Sequence, residues 1–144
     1  MTTHELKLDI KYFDDVKNGK KNFEIRKNDR NYQVGDILEL IAYKKDSFVF
    51  WRTTPSENHE DYWQTCLKER ADKITVRVVS IVKDELWNKC FESPMTVSKM
   101  IKSQTGFSYD NLVVIEEVLC DYFHTNALPD GYVILGIEVA EWKY

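Results

Sequence analysis

Residues that break regular structure or cross-link the chain are scarce in this sequence. Its 144 residues include five glycines, three prolines and three cysteines. So few glycines and prolines exclude collagen-like and low-complexity chains. The cysteines (Cys66, Cys90 and Cys120) are odd in number, and no pair of them has C-x-x-C spacing. We therefore expect free thiols buried in a core, and no disulfide framework.

Long apolar stretches are also missing. No run approaches the roughly 18 residues that a membrane span requires, and residues 4–10 alternate charged and apolar side chains where a secretion signal has an apolar segment. We expect a cytoplasmic protein that does not contact membranes. The sequence has neither of the glycine-rich phosphate-binding motifs, and its histidines and cysteines lack metal-ligand spacing. We therefore expect no cofactor and no metal.

The chain does contain enough apolar residues to build a core. Hydrophobic residues make up 43% of it and aromatic residues 13%, a composition that argues against intrinsic disorder. A chain of this length is typical of one domain. We interpret residues 1–144 as a single domain with insertions at about 45–72 and 84–129.

Charge is distributed unevenly along the sequence. The net charge is −4, but the segment from Lys17 to Arg30 has six basic and two acidic residues, a net of +4. The remainder of the chain therefore carries a net of −8. A local basic segment can attract an anionic ligand, although it can equally be a solvated loop that balances acidic neighbours.

Hydrophobic periodicity predicts strands that alternate with a few helices. Period-two patterns predict strands over 4–10, 22–27, 37–42, 48–51, 73–82 and 132–139, and 3.6-residue patterns predict helices over 11–18 and 84–104 (broken at Ser93-Pro94). Residues 110–123 fit either a helix or a strand, and we interpret them as a helix. Residues 53–72 have the composition of an irregular insertion, with a helical turn near 61–69. This order indicates an α+β protein with a mixed, partly closed sheet.

The most informative stretch runs from Gly19 to Arg26. Period two places Glu24 and Arg26 on the same face of one strand, about 6–7 Å apart, whereas Lys21 precedes the strand and its direction is not fixed. Arginine offers a planar fork to phosphate or to a base edge, and lysine can act as a base or nucleophile. The same pattern also fits an ordinary exposed row of alternating charges.

These residues resemble a known family. The pattern G-x-K-x-x-E-x-R, here Gly19, Lys21, Glu24 and Arg26, is the signature of the ASCH domain, a PUA-like β-barrel. The blocks HELK (4–7), FEIRKNDR (23–30), VGD (34–36) and GYVILGIE (131–138) are similar to a bacterial and phage branch of that superfamily. The resemblance implies a small mixed β-barrel with short helices packed around it.

The resemblance also implies a function. ASCH domains are widely proposed to bind RNA through a cleft lined by the motif, so RNA or a modified nucleoside or nucleotide is the expected partner. Single-stranded recognition uses aromatic faces for stacking, and the candidates here are Tyr12, Phe23, Tyr32, Phe50, Trp51, Tyr62 and Trp63. The expected ligand-binding residues are Lys20, Lys21, Glu24, Arg26, Lys27, Arg30 and Tyr32.

Two other functions stay open. Some small ASCH proteins are similar to amidohydrolases that act on acetylated cytidine, which would make Lys21 the base or nucleophile and Glu24 its proton partner. Those enzymes have threonine where this chain has Glu24, and Glu92, Glu116 and Glu117 are candidates for their third residue. The third hypothesis is a phage–host protein-interaction role in which residues 45–72 contact the partner.

Overall fold

Seven strands and four helices follow one another in the order that the sequence largely predicts. The computed structural model describes residues 2–44, 49–55, 61–89 and 94–143. The elements are β1 (Thr3–Asp9), α1 (Ile10–Lys17), β2 (Phe23–Lys27), β3 (Ile37–Lys44), β4 (Val49–Pro55), β5 (Asp61–Cys66), a 3₁₀ turn (Lys68–Arg70), β6 (Lys73–Lys83), α2 (Asp84–Lys89), α3 (Pro94–Thr105), α4 (Tyr109–Phe123) and β7 (Tyr132–Lys143).

The strands form one seven-stranded sheet of mixed direction. Its order is β2-β7-β6-β3-β4-β5, and β1 pairs with β3 in addition. The β1–β3 pair is parallel, whereas β2–β7, β3–β6, β3–β4 and β4–β5 are antiparallel. Among the described residues the order is open, with β2 and β5 at its two ends. The expected α+β class is therefore confirmed.

The chain divides into two compact units, each assembled from separate segments. Unit 1 comprises residues 1–21, 36–77 and 138–144, and unit 2 comprises residues 22–35 and 78–137. Strands β6 and β7 each contribute residues to both units. The description below takes the units one at a time.

Unit 1 contains β1, α1 and the strands β3 to β5. Helix α1 begins after Asp9, whose carboxylate accepts a hydrogen bond from the Lys11 amide at 2.9 Å. It ends at Lys17, and Gly19 follows two residues later with a φ of +77°, the left-handed conformation that favours glycine after a helix. The alternating burial of β1 and β6 places apolar side chains in the core of this unit, among them Leu6, Leu8, Phe13, Val16, Leu38, Leu40, Ile74 and Val76.

Unit 2 contains β2 and the three helices α2 to α4, which occupy the predicted insertion at 84–129. Helix α4 begins with a capping box between Ser108 and Asn111 and ends at His124 in the left-handed conformation. The apolar side chains that form the core of the unit are Phe23, Val78, Val82, Trp87, Ile101, Ile115, Leu119, Leu128, Ile134 and Leu135.

Two predictions from the sequence are wrong. Residues 61–66 are a strand and not a helical turn, because their backbone pairs with β4 from Pro55↔Asp61 to Phe50↔Cys66, and helical geometry is confined to the 3₁₀ turn that follows. The free thiols are also less buried than expected. Cys66 is half-buried and Cys120 is exposed on α4, whereas Cys90 lies outside the described residues.

No helix within the described ranges is long and apolar enough to span a bilayer.

Candidate functional site

Strand β2 pairs two of the motif side chains directly. Arg26 donates hydrogen bonds from Nε and Nη2 to the same Glu24 oxygen, Oε2, at 3.0 and 2.9 Å. This contact confirms the prediction that the two side chains share one face of the strand. The Glu24 side chain is 5% exposed and that of Arg26 is 24% exposed. Burial of the carboxylate excludes the ordinary exposed row of charges.

Tyr32 lies next to this ion pair in unit 2. The chain reaches it through the polar turn predicted at Asn28–Asn31, where the Asn28 side chain accepts a hydrogen bond from the Tyr32 amide at 3.0 Å. Burial raises the pKa of the Tyr32 hydroxyl, while the charges of Arg26 and Arg30 act in the opposite direction. Tyr32 therefore keeps its proton at neutral pH and can donate a hydrogen bond.

Lys21 belongs to unit 1 and is buried, which its position between a turn and a strand did not predict. Its backbone amide donates to the Asp15 carbonyl at 2.9 Å. Its ammonium nitrogen lies 5.0 Å from the centroid of the Tyr12 ring, within the range of a cation–π contact. Only 6% of the residue is exposed, so an ammonium group is held in place within this unit.

The remaining predicted ligand-binding residues are cations at the surface. Lys20, Lys27 and Arg30 are all exposed. Exposed cations of this kind attract anionic ligands and contribute little to the stability of the fold.

The aromatic residues considered for stacking fall into two groups. Phe23 is a core residue with 1% exposure, whereas Tyr12, Phe50 and Trp51 are half-buried and keep some ring surface accessible. The side chains of Tyr62 and Trp63 lie outside the described residues.

The acidic residues considered for catalysis are scattered. Glu116 and Glu117 are exposed on α4, and Glu92 lies outside the described residues.

The sequence reasoning missed a buried pair in unit 1. His4 Nε2 lies 2.9 Å from Asp36 Oδ2, and both side chains are less than one-tenth exposed. The other Asp36 oxygen accepts a hydrogen bond from the Thr2 amide at 3.1 Å. The available signal was that the HELK block contains His4 near the start of one strand and the VGD block contains Asp36 just before another. Over the described ranges, no group of three potential metal ligands forms.

The comparisons with known proteins define the class. Residues 3–88 match the family described as a domain of unknown function, DUF3850. That match covers more than half of the chain, and the protein belongs to this family.

Individual relatives are more limited in extent. Over 46 residues the chain is 62% identical to the uncharacterized 12.9 kDa protein in the GpA 3′ region of Escherichia phage P2. The aligned segment is 32% of this chain and 42% of the phage protein, so the chain spans about two-fifths of that relative's length. The crystal structure of the hypothetical protein PH0355 aligns over 95% of this chain and 98% of its own, at 19% identity and a TM-score of 0.39.

Proposed function

We propose that the protein is an ASCH-type module of PUA-like fold that binds RNA or a modified nucleotide through residues 19–32. The observation that carries the proposal is the Glu24–Arg26 ion pair, whose carboxylate is buried, in a segment where Lys20, Lys27 and Arg30 are exposed. A buried ion pair adds little net stability, because desolvation offsets the attraction between the charges. Ligand recognition accounts for such a pair better than stability does.

The chemistry of these side chains suits a nucleotide. A carboxylate such as that of Glu24 accepts from the amino group of a base, and a guanidinium such as that of Arg26 donates to phosphate or to a base edge. The neutral hydroxyl of Tyr32 adds a donor. The exposed Lys20, Lys27 and Arg30 supply long-range attraction for phosphate.

The test is a fluorescence-anisotropy titration with short labelled single-stranded RNA at two salt concentrations. We expect the wild type to bind more weakly at high salt. The double variant Lys21→Ala/Arg26→Ala should lose at least about ten-fold in affinity, because it removes two charged donors.

The matched control removes the same charges elsewhere. Arg77 and Lys99 are exposed and lie outside residues 19–32. The double variant Arg77→Ala/Lys99→Ala should therefore bind RNA within about two-fold of the wild-type affinity, because isolated surface charges contribute little. Wild-type protein that binds neither RNA nor a nucleotide at low salt would contradict the proposal.

One observation favours a second candidate, an amidohydrolase that acts on a modified nucleoside. The ammonium group of Lys21 is buried, as is usual for a lysine that acts as base or nucleophile, and Glu24 would be its proton partner. Hydrolysis would consume one water and release an acid and an amine. Mass spectrometry of a nucleoside panel would detect the reaction, and it should persist in Lys99→Ala, which alters an exposed lysine outside residues 19–32, and vanish in Lys21→Ala.

A further inference from the structure

One face of the β3–β4 pair in unit 1 places cations beside aromatic rings. Phe50 pairs with Tyr43 across the two strands, and their ring centroids are 5.2 Å apart. The Lys7 ammonium lies 4.7 Å from the Tyr43 ring centroid and 5.9 Å from that of Phe50. Because side chains alternate along a strand, Arg52 shares the face of Phe50. We call these four residues the Arg52 face.

Arg52 is a half-buried cation whose Nε–H is left without an acceptor. The Nε atom is buried and makes no hydrogen bond with any residue that the structure describes, and the same holds for Nε1 of the neighbouring Trp51. Leaving a buried donor unpaired costs about 1–3 kcal/mol. Such groups are rare in native proteins, so an acceptor beyond the described residues is expected at this atom.

A second guanidinium lies in the same region. The charges of Arg52 and Arg70 both lower the pKa of the Cys66 thiol, but burial has the larger effect and the pKa is raised. Cys66 pairs with Phe50 across β4 and β5. Asp72 adds one negative charge near the same thiol, so the two guanidinium groups leave a net positive charge that suits an acceptor-rich anion.

We propose that the Arg52 face binds single-stranded nucleic acid, with a phosphate at the Arg52 guanidinium and a base against the Phe50 ring. The half-buried Arg52 guanidinium supplies the phosphate contact, and a half-buried ring two residues away supplies a stacking surface. Acidic side chains would satisfy Arg52 but offer no aromatic ring to stack on Phe50, whereas a nucleotide offers both a phosphate and a base, so the observations favour a nucleotide. The inference rests on the proposed function for its ligand class and adds a second contact surface.

The test uses single-stranded RNA of about eight nucleotides, within the usual site size of such proteins. Arg52→Gln should weaken binding by at least about five-fold and lower the slope of log affinity against log salt by about 0.7, as expected for one lost phosphate contact on a single strand. Phe50→Leu should weaken binding by at least about five-fold with the salt slope unchanged, because it removes a ring and no charge.

The control is Arg77→Gln, which removes an exposed arginine of the same unit that already pairs with Glu138 at 3.2 Å. It should bind RNA as wild type does. Circular dichroism checks that each variant folds. If Arg52→Gln fails to fold, the binding data for Arg52→Lys and Phe50→Leu test the proposal instead. Arg52→Lys keeps the charge and loses the planar fork, so affinity should fall while the salt slope stays.

The failures of the two proposals are distinguishable. If Lys21→Ala/Arg26→Ala loses RNA binding while Arg52→Gln binds as wild type does, the proposed function stands and the proposal that the Arg52 face binds RNA is overturned. If only the Arg52 and Phe50 variants lose binding, the Arg52 face stands and the role of residues 19–32 is overturned. Equal competition by polyglutamate and RNA would overturn the nucleotide assignment of the Arg52 face, and a wild type that binds no RNA would overturn both.

Discussion

At the scale of single residues, the Glu24–Arg26 contact is the feature with the clearest chemical consequence. Both hydrogen bonds from Arg26 end on one carboxylate oxygen, an arrangement that a lysine ammonium cannot reproduce, since it lacks the planar fork. The pair therefore fixes the orientation of the guanidinium before any ligand arrives. Because the guanidinium is already held in one orientation, less side-chain entropy is lost when a ligand binds.

Tyr32 gives this cluster a measurable dependence on pH. Burial raises the pKa of its hydroxyl above the ordinary value of 10.0, so the unfolded chain loses this proton before the folded protein does. The contribution to stability is fully present below about pH 10 and is lost as pH rises through the folded pKa, by about 1.4 kcal/mol for each pH unit between the two values.

Urea unfolding of wild type and Tyr32→Phe from about pH 8 to about pH 11 measures this loss. The free energy of unfolding should fall less steeply above about pH 10 in the variant, because phenylalanine does not titrate. The other seven tyrosines are common to both proteins and cancel in the comparison. Equal slopes for the two proteins would contradict the assignment to Tyr32.

Alternation predicted which residues share a face but not how deeply they are buried. Period two was enough to place Glu24 and Arg26 together, because the rule depends only on local backbone geometry. The burial of Lys21 and the His4–Asp36 contact depend on segments distant in sequence. Residues 4 and 36 meet because β1 pairs with β3 in parallel, and a parallel pairing leaves no local signal.

At the scale of elements, the strongest local signals were the most reliable. The patterns over 4–10 and 73–82 correspond to β1 and β6 within one residue at each end, and residues 110–123, whose pattern also suits a strand in part, form α4. Strand β5 was missed because its sequence, DYWQTC, has no apolar alternation. Its strand conformation depends on pairing with β4, and tertiary context commonly overrides local preference in this way.

A close approach of β7 to β6 in unit 2 yields a prediction at this scale. A Cβ at Gly136 would lie 2.1 Å from Ser80 Oγ, so Gly136→Ala should destabilise the protein by about 1–3 kcal/mol through overpacking. The Ser80 hydroxyl makes no hydrogen bond to any residue in the described part of the chain. Ser80→Ala should therefore cost little by itself and should relieve the overlap.

A double-mutant cycle measured by urea unfolding checks this expectation. Gly136→Ala in the Ser80→Ala background should cost at least about 1 kcal/mol less than in wild type, which is typical of residues in direct contact. Additive free energies for the two substitutions would show that the hydroxyl is not what excludes a side chain at position 136.

At the scale of the whole molecule, charge separates the candidate ligands. The protein has a net charge of −4, and its one strongly basic segment, residues 17–30, is short. Duplex nucleic acid requires an extended basic surface that neutralises many phosphates. A short basic segment in an acidic chain suits a single strand or one nucleotide, where a few contacts and a stacked base supply the affinity.

The short basic segment predicts that the protein prefers single-stranded RNA to duplex RNA, and binding assays can measure this preference. Short single-stranded RNA should bind at least about ten-fold more tightly than a duplex of the same length and sequence, because paired bases cannot stack on protein rings and an acidic surface repels the second strand. Anisotropy competition with unlabelled single-stranded and duplex RNA, at one fixed salt concentration, measures the ratio. The log–log salt slope for the single strand should stay near −3 or shallower, corresponding to about four phosphates at the slope usual for single strands. A duplex that competes as well as the single strand, or a much steeper slope, would mean that a broad electrostatic surface dominates and that residues 19–32 are not the main determinant of binding.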